Sequence, residues 1–331
     1  MNSGSQRLYV TGGRQRGLRP LTAGLDWYEY EAAQAVEVDP ASGTSAPVLE
    51  YVSPPDATPD GGGTILFKSG TLRNGRLWTC TQTEVLVYRL PSWEREVYIS
   101  LPIFNDLHHV LPLDDGKMLV AASGLDMVFE VATDGTVTRS WDVTGRSLWH
   151  RFSPDEDYRK VPTTKPHASH PNFVFALGSE LWATRFEQRD AVSLTQPGRR
   201  IDIGTERVHD GVVFGETIFF TTVNGSLVLV DVPTLRVRQV IDLTTLHPPD
   251  VLLGWTRGLY VVDETTVWVG FSRIRPTKFR ENLGWLARGF KRDFGTHIGL
   301  YDLNRMENLA QISVEAAGLS AVFGIYPVPA G

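Results

Sequence analysis

A four-strand unit recurs along the chain, and this repeat limits the possible folds more than any other feature of the sequence. Residues 209–243, HDGVVFGETIFFTTVNGSLVLVDVPTLRVRQVIDL, contain four short runs rich in Val, Ile, Thr and aromatic residues, separated by turn signals. Similar units begin near Thr64, His108, His170 and Trp255. Units of about 40 residues with four strands each are typical of the blades of a β-propeller.

The two ends of the chain together supply one more unit. The N-terminal part contributes three strands (RLYVTGG, AVEVDP and PVLEYV), and the C-terminal part contributes one inner strand, AVFGIYPVP. Pairing them completes a sixth blade and removes the exposed sheet edges at the join. The sequence therefore predicts an all-β, six-bladed β-propeller that forms a single domain over residues 1–331. A pair of β-sandwiches is the alternative for short strands without intervening helices.

Composition and motifs exclude several classes of function. The net charge of −6 argues against a general nucleic-acid-binding protein. No apolar run approaches about 18 residues, so no membrane insertion is expected. The N-terminus MNSGSQRLYVTGG lacks an apolar signal segment, which predicts a cytoplasmic location. The single cysteine, Cys80, excludes a multi-cysteine zinc site, and the absence of GxGxxG and P-loop motifs predicts no nucleotide cofactor.

Three segments are much longer than turns: residues 14–33, 144–169 and 273–296. In a propeller, the loop between the second and third strands of a blade and the loop that enters the next inner strand open on the same face. All three insertions should therefore lie on one face, where long loops usually serve function. Four apolar residues of the third insertion recur at helical spacing, namely Phe279, Leu283, Leu286 and Phe290. They predict one short helix, either a lid over the channel or a helix packed on the propeller surface.

Positive charge is concentrated in two of these insertions. The second carries five Lys or Arg residues against three acidic residues, and the third carries seven against two. A cationic channel mouth would attract small anionic molecules such as carboxylates or phosphates. The other interpretation is ordinary solvated surface charge. The expected partner is thus a small anionic or polar molecule, and the oligomeric state stays open.

Three histidines take the same register in consecutive inner strands: His108 in HHVLPL, His170 in HPNFVF and His209 in HDGVVF. Inner strands begin at the face that bears the insertions and run down the channel, so these imidazoles should converge near its axis. Three imidazoles with one side open to solvent would suit a divalent metal ion that polarises a substrate oxygen or activates water. The adjacent His109 leaves the register uncertain by one residue. A metal-free site with histidine as acid or base is the alternative.

Other side chains could complete this site. Asp106 and Asp210 adjoin two of the histidines and could orient them as hydrogen-bond acceptors. Arg257 follows Thr256, which takes the histidine register in the next inner strand, and could bind an anion through two hydrogen bonds. Tyr158 is a further catalytic candidate. The candidate substrate-binding residues, besides Arg257, are Lys165, Arg185, Arg273 and Trp255. His150 and His167 lie in the second insertion, whose path the sequence does not define.

The C-terminal quarter resembles a known group of proteins. The segment GWTRGLYVVDETTVWVGFSRIR (254–275), the strand IGLYDL (298–303) and the ending VFGIYPVPAG are similar to an uncharacterised bacterial family of six-bladed β-propellers with a (F/W)TRGL…VGxSR motif. The rest of the chain matches that family in outline. The resemblance implies a closed propeller and inner-strand histidines at His108, His170 and His209. Gly324 stands where the family pattern has Asp, and no reaction is implied.

These observations predict an enzyme that acts on a small anionic or polar substrate at the mouth of the channel. The chemistry would be a metal-assisted lyase, hydrolase, isomerase or cyclase reaction. His108, His170 and His209 would hold the metal ion or exchange protons, and Arg257 would hold the substrate. The alternative is a non-catalytic propeller that binds a ligand or a protein through the same face.

Overall fold

The computed structural model describes residues 6–17, 29–273 and 292–329. The closing blade contains β1 (Leu8–Gln15), β2 (Tyr30–Asp39) and β3 (Thr44–Tyr51). Blade 1 contains β4 (Thr71–Arg73), β5 (Arg76–Cys80), β6 (Val85–Arg89) and β7 (Glu94–Ile99). Blade 2 contains β8 (Leu107–Pro112), β9 (Lys117–Ala122), β10 (Met127–Ala132) and β11 (Val137–Asp142).

The second half of the chain continues this pattern. Blade 3 contains β12 (Val174–Leu177), β13 (Glu180–Arg185), β14 (Asp190–Ser193) and β15 (Arg200–Asp202), and blade 4 contains β16 (Val208–Phe214), β17 (Thr217–Thr222), β18 (Ser226–Asp231) and β19 (Arg236–Asp242). A short parallel pair joins β20 (Val251–Leu252) to β23 (Arg292–Asp293). Blade 5 contains β21 (Trp255–Val261), β22 (Thr266–Ser272), β24 (His297–Asp302) and β25 (Glu307–Ser313). The last strand, β26 (Ala321–Pro327), is the inner strand of the closing blade.

The predicted six-bladed all-β propeller is confirmed. Each blade is a four-stranded antiparallel sheet, and β26 pairs with β1 from Leu8 opposite Pro327 to Gly13 opposite Ala321. The C-terminal strand thus closes the ring against the N-terminal strands as the sequence predicted. Among the described residues, no helix has the length and hydrophobicity needed to cross a membrane.

The hydrophobic core lies largely between neighbouring blades. Phe219 of blade 4, for example, packs in one buried cluster with Val269 and Phe271 of blade 5. Middle strands are covered on both faces and therefore read as continuous apolar runs, as in SLVLVD of β18. Outer strands face solvent, so β19, with the sequence RVRQVID, is mostly exposed.

The inner strands of blades 2, 4 and 5 share an irregularity at one level of the channel. Their pairing with the second strand of the blade shifts register between Leu107 and His109, between Val208 and Gly211, and between Thr256 and Leu259. A β-bulge of this kind bends the strand and redirects a side chain. The bulges occur where the inner strands carry His108, His209 and Arg257.

The second insertion forms a fixed wall on the face where the inner strands begin. The Asn105 side chain donates hydrogen bonds to the carbonyl oxygens of Tyr158 at 2.8 Å and Val161 at 2.9 Å. Lys160 Nζ donates to the carbonyls of Pro55 at 2.7 Å and Thr58 at 2.9 Å. The predicted helix of the third insertion and residues 18–28 of the first lie outside the described residues.

Candidate functional site

A cavity of about 880 Å³ opens on the face that carries the second insertion. Its most buried lining side chains include Lys68, His108 and Phe323, which define its deep end. Residues 161–167 of the second insertion form one wall, and residues 57–59 contribute to another. The volume lies within the range of ordinary small-molecule sites.

A buried ion pair lies at the deep end. Lys68 belongs to the extended segment before β4, and its Nζ lies 3.2 Å from Asp106 Oδ1 and 3.2 Å from His108 Nε2. Burial lowers the pKa of Lys68, and the Asp106 carboxylate opposes this shift. Burial alone would raise the pKa of Asp106, but Lys68 and the nearby histidines hold that pKa well below its usual range. Asp106 is therefore ionised at neutral pH.

His108 is the histidine of the HH pair that faces the cavity. Its Nδ1–H donates to the backbone carbonyl of Asp106 at 2.9 Å, and its Nε2 accepts from Lys68. Burial, together with Lys68, lowers the pKa of His108 well below its ordinary value, so the ring is neutral. His109 instead stacks on Phe173 with ring centroids 3.6 Å apart, and burial lowers its pKa to about 3.

Asp106 also belongs to a group of potential metal ligands. One ligand atom each from Asp106, His167 and His170 lies within 4.8 Å of the others. The Nδ1 atoms of His167 and His170 are in direct contact, and His170 Nδ1 lies 4.0 Å from Asp106 Oδ2. Burial lowers the pKa of both histidines, which favours the neutral imidazole that binds metal ions.

Thr164 determines which nitrogen of His167 carries the proton. The Thr164 hydroxyl lies 2.5 Å from the Gly124 carbonyl and 3.4 Å from the Asn105 side-chain oxygen, and both of these groups are acceptors. Its single proton goes to one of them, so the hydroxyl oxygen accepts from His167 Nε2–H at 3.3 Å. The lone pair of His167 is then on Nδ1, the atom that faces His170.

The three histidines predicted to bind metal do converge. The ring centroid of His108 lies 4.7 Å from that of His170 and 6.0 Å from that of His209. Both nitrogens of His108 are already hydrogen-bonded, however, and His209 Nε2 is buried with no hydrogen-bond partner among the described residues. Among the described residues, the ligand atoms close enough to share an ion are those of His170, Asp106 and His167, so Asp106 is itself a possible ligand.

Asp210, which follows His209 in β16, is buried and held by hydrogen bonds. Its carboxylate accepts from Thr221 Oγ1 at 2.6 Å, from the Gly258 backbone N–H at 3.0 Å and from His209 Nδ1 at 3.3 Å. These contacts join the neighbouring blades 4 and 5. Asp210, His209 and Phe323 are almost completely buried, and of these three only Phe323 lines the cavity.

The remaining predicted residues divide into two groups. Arg257, Trp255 and Lys165 line the cavity, and the Arg257 guanidinium lies 4.7 Å from the centre of the Phe323 ring. Lys68 Nζ lies 5.0 Å from the same ring centre. Two cations therefore pack against one aromatic ring at the deep end, which suits an anionic ligand group.

Three other predicted residues lie away from the cavity. The Tyr158 hydroxyl accepts from the Ser153 backbone N–H at 2.8 Å, and the ring packs in the hydrophobic core between blades 1 and 2. Arg185 forms a bidentate pair with the buried Asp190, at 2.8 and 2.6 Å. Arg273 contacts Gln15 and lies 3.6 Å from Glu315. Their side chains are engaged in structural contacts.

Sequence reasoning missed Lys68 and did not assign a role to His167 or Thr164. A signal for Lys68 was present, because Lys68-Ser69-Gly70 parallels His209-Asp210-Gly211 at the start of another inner strand. No comparable repeat could place His167 or Thr164, which lie in the second insertion.

Comparison with known proteins finds a solved structure with a similar fold. No family model matches the chain, and no curated protein shows significant similarity to it. A protein of unknown function from Bacteroides caccae superposes with a TM-score of 0.63 over 98% of this chain and 100% of its own length, at 12% sequence identity. At that identity the likeness shows the fold alone. A virginiamycin B lyase from Staphylococcus aureus superposes with a TM-score of 0.42 at 14% identity, over 71% of this chain and 69% of its own.

Proposed function

We propose that this protein is a metal-dependent enzyme that acts on a small anionic or polar substrate in the cavity. The proposal rests on one observation, the approach of Asp106, His167 and His170 ligand atoms to within 4.8 Å at a cavity wall. One carboxylate and two imidazoles hold zinc or non-haem iron in many enzymes and leave coordination positions open. Those positions would accept water or a substrate oxygen from the cavity.

The surrounding charges support an anionic substrate. Lys68 and Arg257 both line the deep end of the cavity, and they would stabilise a carboxylate or phosphate beside the metal ion. A bound metal ion would polarise a substrate oxygen or activate a water molecule. Neutral His108 accepts a hydrogen bond from Lys68 and would hold its ammonium group in place beside the substrate. This set of groups is suited to lyase, hydrolase, isomerase or cyclase chemistry.

Metal analysis of purified protein tests the proposal. We expect stoichiometric divalent metal in the wild-type protein, or after reconstitution with Zn²⁺, Mn²⁺ or Fe²⁺, and its loss in His167→Ala and His170→Ala. His150→Ala is the matched control, because His150 lies in the same insertion but bonds to Asp142 at 3.0 Å, outside the group. Wild-type protein that takes up none of these ions would refute the metal site. A ligand that binds at the cavity without turnover would favour a non-catalytic propeller.

We also propose a cytoplasmic location, which rests on the sequence alone. Membership of the bacterial family with the (F/W)TRGL…VGxSR motif likewise rests on residues 254–275 and the C-terminal strands.

A further inference from the structure

We infer that Asp126 is a positioning residue that holds His167 and His170 in place for the metal group. The inference rests on the proposed function, because it assumes that these two histidines hold a metal ion. The hydrogen bonds of Asp126 from which it is argued do not depend on a bound ion. Asp126 lies in the connection between β9 and β10 of blade 2, on the same face as the cavity. It is almost completely buried and does not line the cavity.

The Asp126 carboxylate binds the end of the second insertion through consecutive backbone groups. Its Oδ1 accepts from the N–H groups of Ser169 and His170, each at 2.8 Å, and its Oδ2 accepts from the N–H of Ala168 at 2.8 Å. Arg151, near the start of the same insertion, also donates to Oδ2. One side chain from blade 2 therefore fixes the backbone immediately before and at His170.

The opposite side of this segment is held as well. The carbonyls of Ser169 and His170 accept from the backbone N–H groups of Glu187 at 3.1 Å and Phe186 at 3.3 Å. Between these two sets of bonds, His170 adopts a left-handed conformation with φ of 57°. Residues other than glycine rarely adopt this conformation unless the surroundings impose it. The conformation accompanies the contact of the His170 ring with His167, at 4.7 Å between centroids, and with His108.

A carboxylate is the side chain this position requires. Four donors converge on two oxygens, and a carboxylate presents acceptor lone pairs in every direction needed. In Asp126→Asn, the amide NH₂ would replace one of these oxygens and face N–H donors. The segment would then lose bonds on one side, and His170 and His167 would move relative to Asp106.

The test compares Asp126→Asn with Asp142→Asn. Asp142 caps the beginning of the same insertion by accepting from Thr144 N–H at 2.8 Å, so its variant controls for general loosening of the insertion. Imidazole ¹⁵N and ¹H resonances are recorded on metal-free protein, and Zn²⁺ affinity is measured by calorimetry. We expect Asp126→Asn to shift the resonances of His167 and His170, to leave those of His109 unchanged and to weaken Zn²⁺ binding by about 10–100-fold. Asp142→Asn should change neither the resonances of His167 and His170 nor the Zn²⁺ affinity.

Each outcome decides one question. Unchanged His167 and His170 resonances in folded Asp126→Asn would overturn the positioning role. If wild-type protein binds no Zn²⁺, the proposed function fails, while the resonance comparison still decides the role of Asp126. If Asp126→Asn does not fold, Arg151→Gln provides the test, because it removes one hydrogen-bond donor to the same carboxylate. We expect it to shift the same resonances by a smaller amount. The absence of these shifts in Arg151→Gln would then overturn the inference.

Discussion

The Thr164 hydroxyl accepts from His167 Nε2–H and so leaves the lone pair of His167 on Nδ1. Removing this hydroxyl should weaken Zn²⁺ binding, although no metal ligand is lost. In Thr164→Val, the Nε2–H of His167 loses its acceptor and the ring is free to exchange tautomers. We expect a loss of Zn²⁺ affinity of about 10–100-fold, measured by calorimetry. Thr163→Val changes the adjacent, exposed residue and should leave the affinity unchanged. Equal affinities in the two variants would contradict the assigned tautomer.

Lys68 is the buried partner of the Asp106 carboxylate. Lys68→Met leaves that carboxylate without its cation, and breaking a buried pair in this way costs about 3–5 kcal/mol. We expect a decrease of that order in the free energy of unfolding, measured by urea denaturation of metal-free protein. The double variant Lys68→Met/Asp106→Asn should recover part of the loss because no unpaired charge remains. A Lys68→Met protein as stable as the wild type would show that the pair is unimportant.

The second insertion owes its fixed path to a few side chains, and Asn105 is central among them. In Asn105→Ala, the carbonyls of Tyr158 and Val161 lose their donor, at a cost of about 1–3 kcal/mol for each buried group left unpaired. We expect faster amide hydrogen exchange confined to residues 156–167, measured by mass spectrometry. Asn308→Ala also removes an amide that bonds two carbonyls, but in blade 5, and should leave that segment protected. Equal protection in both variants would contradict this role.

The inner strands explain why part of the site could be predicted from the sequence. Repeat alignment placed His108 and His209 at one level of the channel, where β8 and β16 carry matching bulges. His170, predicted in the same register, instead lies ahead of β12, which begins at Val174, and the end of the second insertion brings its ring to His108. Lys68 was accessible to the same reasoning. His167 and Asp126 were not, because their positions depend on hydrogen bonds between a long connection and a neighbouring blade, and such contacts leave no periodic pattern in the sequence.

The propeller as a whole keeps many histidines neutral, which predicts a pH dependence of its stability. Burial lowers the pKa of five histidines that are almost completely or largely buried: His108, His109, His170, His209 and His297. Below about pH 6.5 the unfolded chain binds protons that the folded protein does not, so the free energy of unfolding must fall as the pH falls. Each neutral histidine contributes about 1.4 kcal/mol per pH unit below that point.

His109 gives the clearest test, because it lies outside the cavity and its pKa is lowered to about 3. Urea denaturation between pH 5 and 6 should show a slope that is about 1.4 kcal/mol per pH unit smaller in His109→Gln than in the wild type. An identical slope in wild type and His109→Gln would contradict the expected neutral state of His109.

The Phe323 ring lies at the deep end of the cavity, and the buried His209 packs beside it with ring centroids 5.6 Å apart. Because the cavity opens on the face that carries the second insertion, a molecule bound against the Phe323 ring would pass this insertion on entry and on release. Under the proposed function, one passage would then serve both substrate and product.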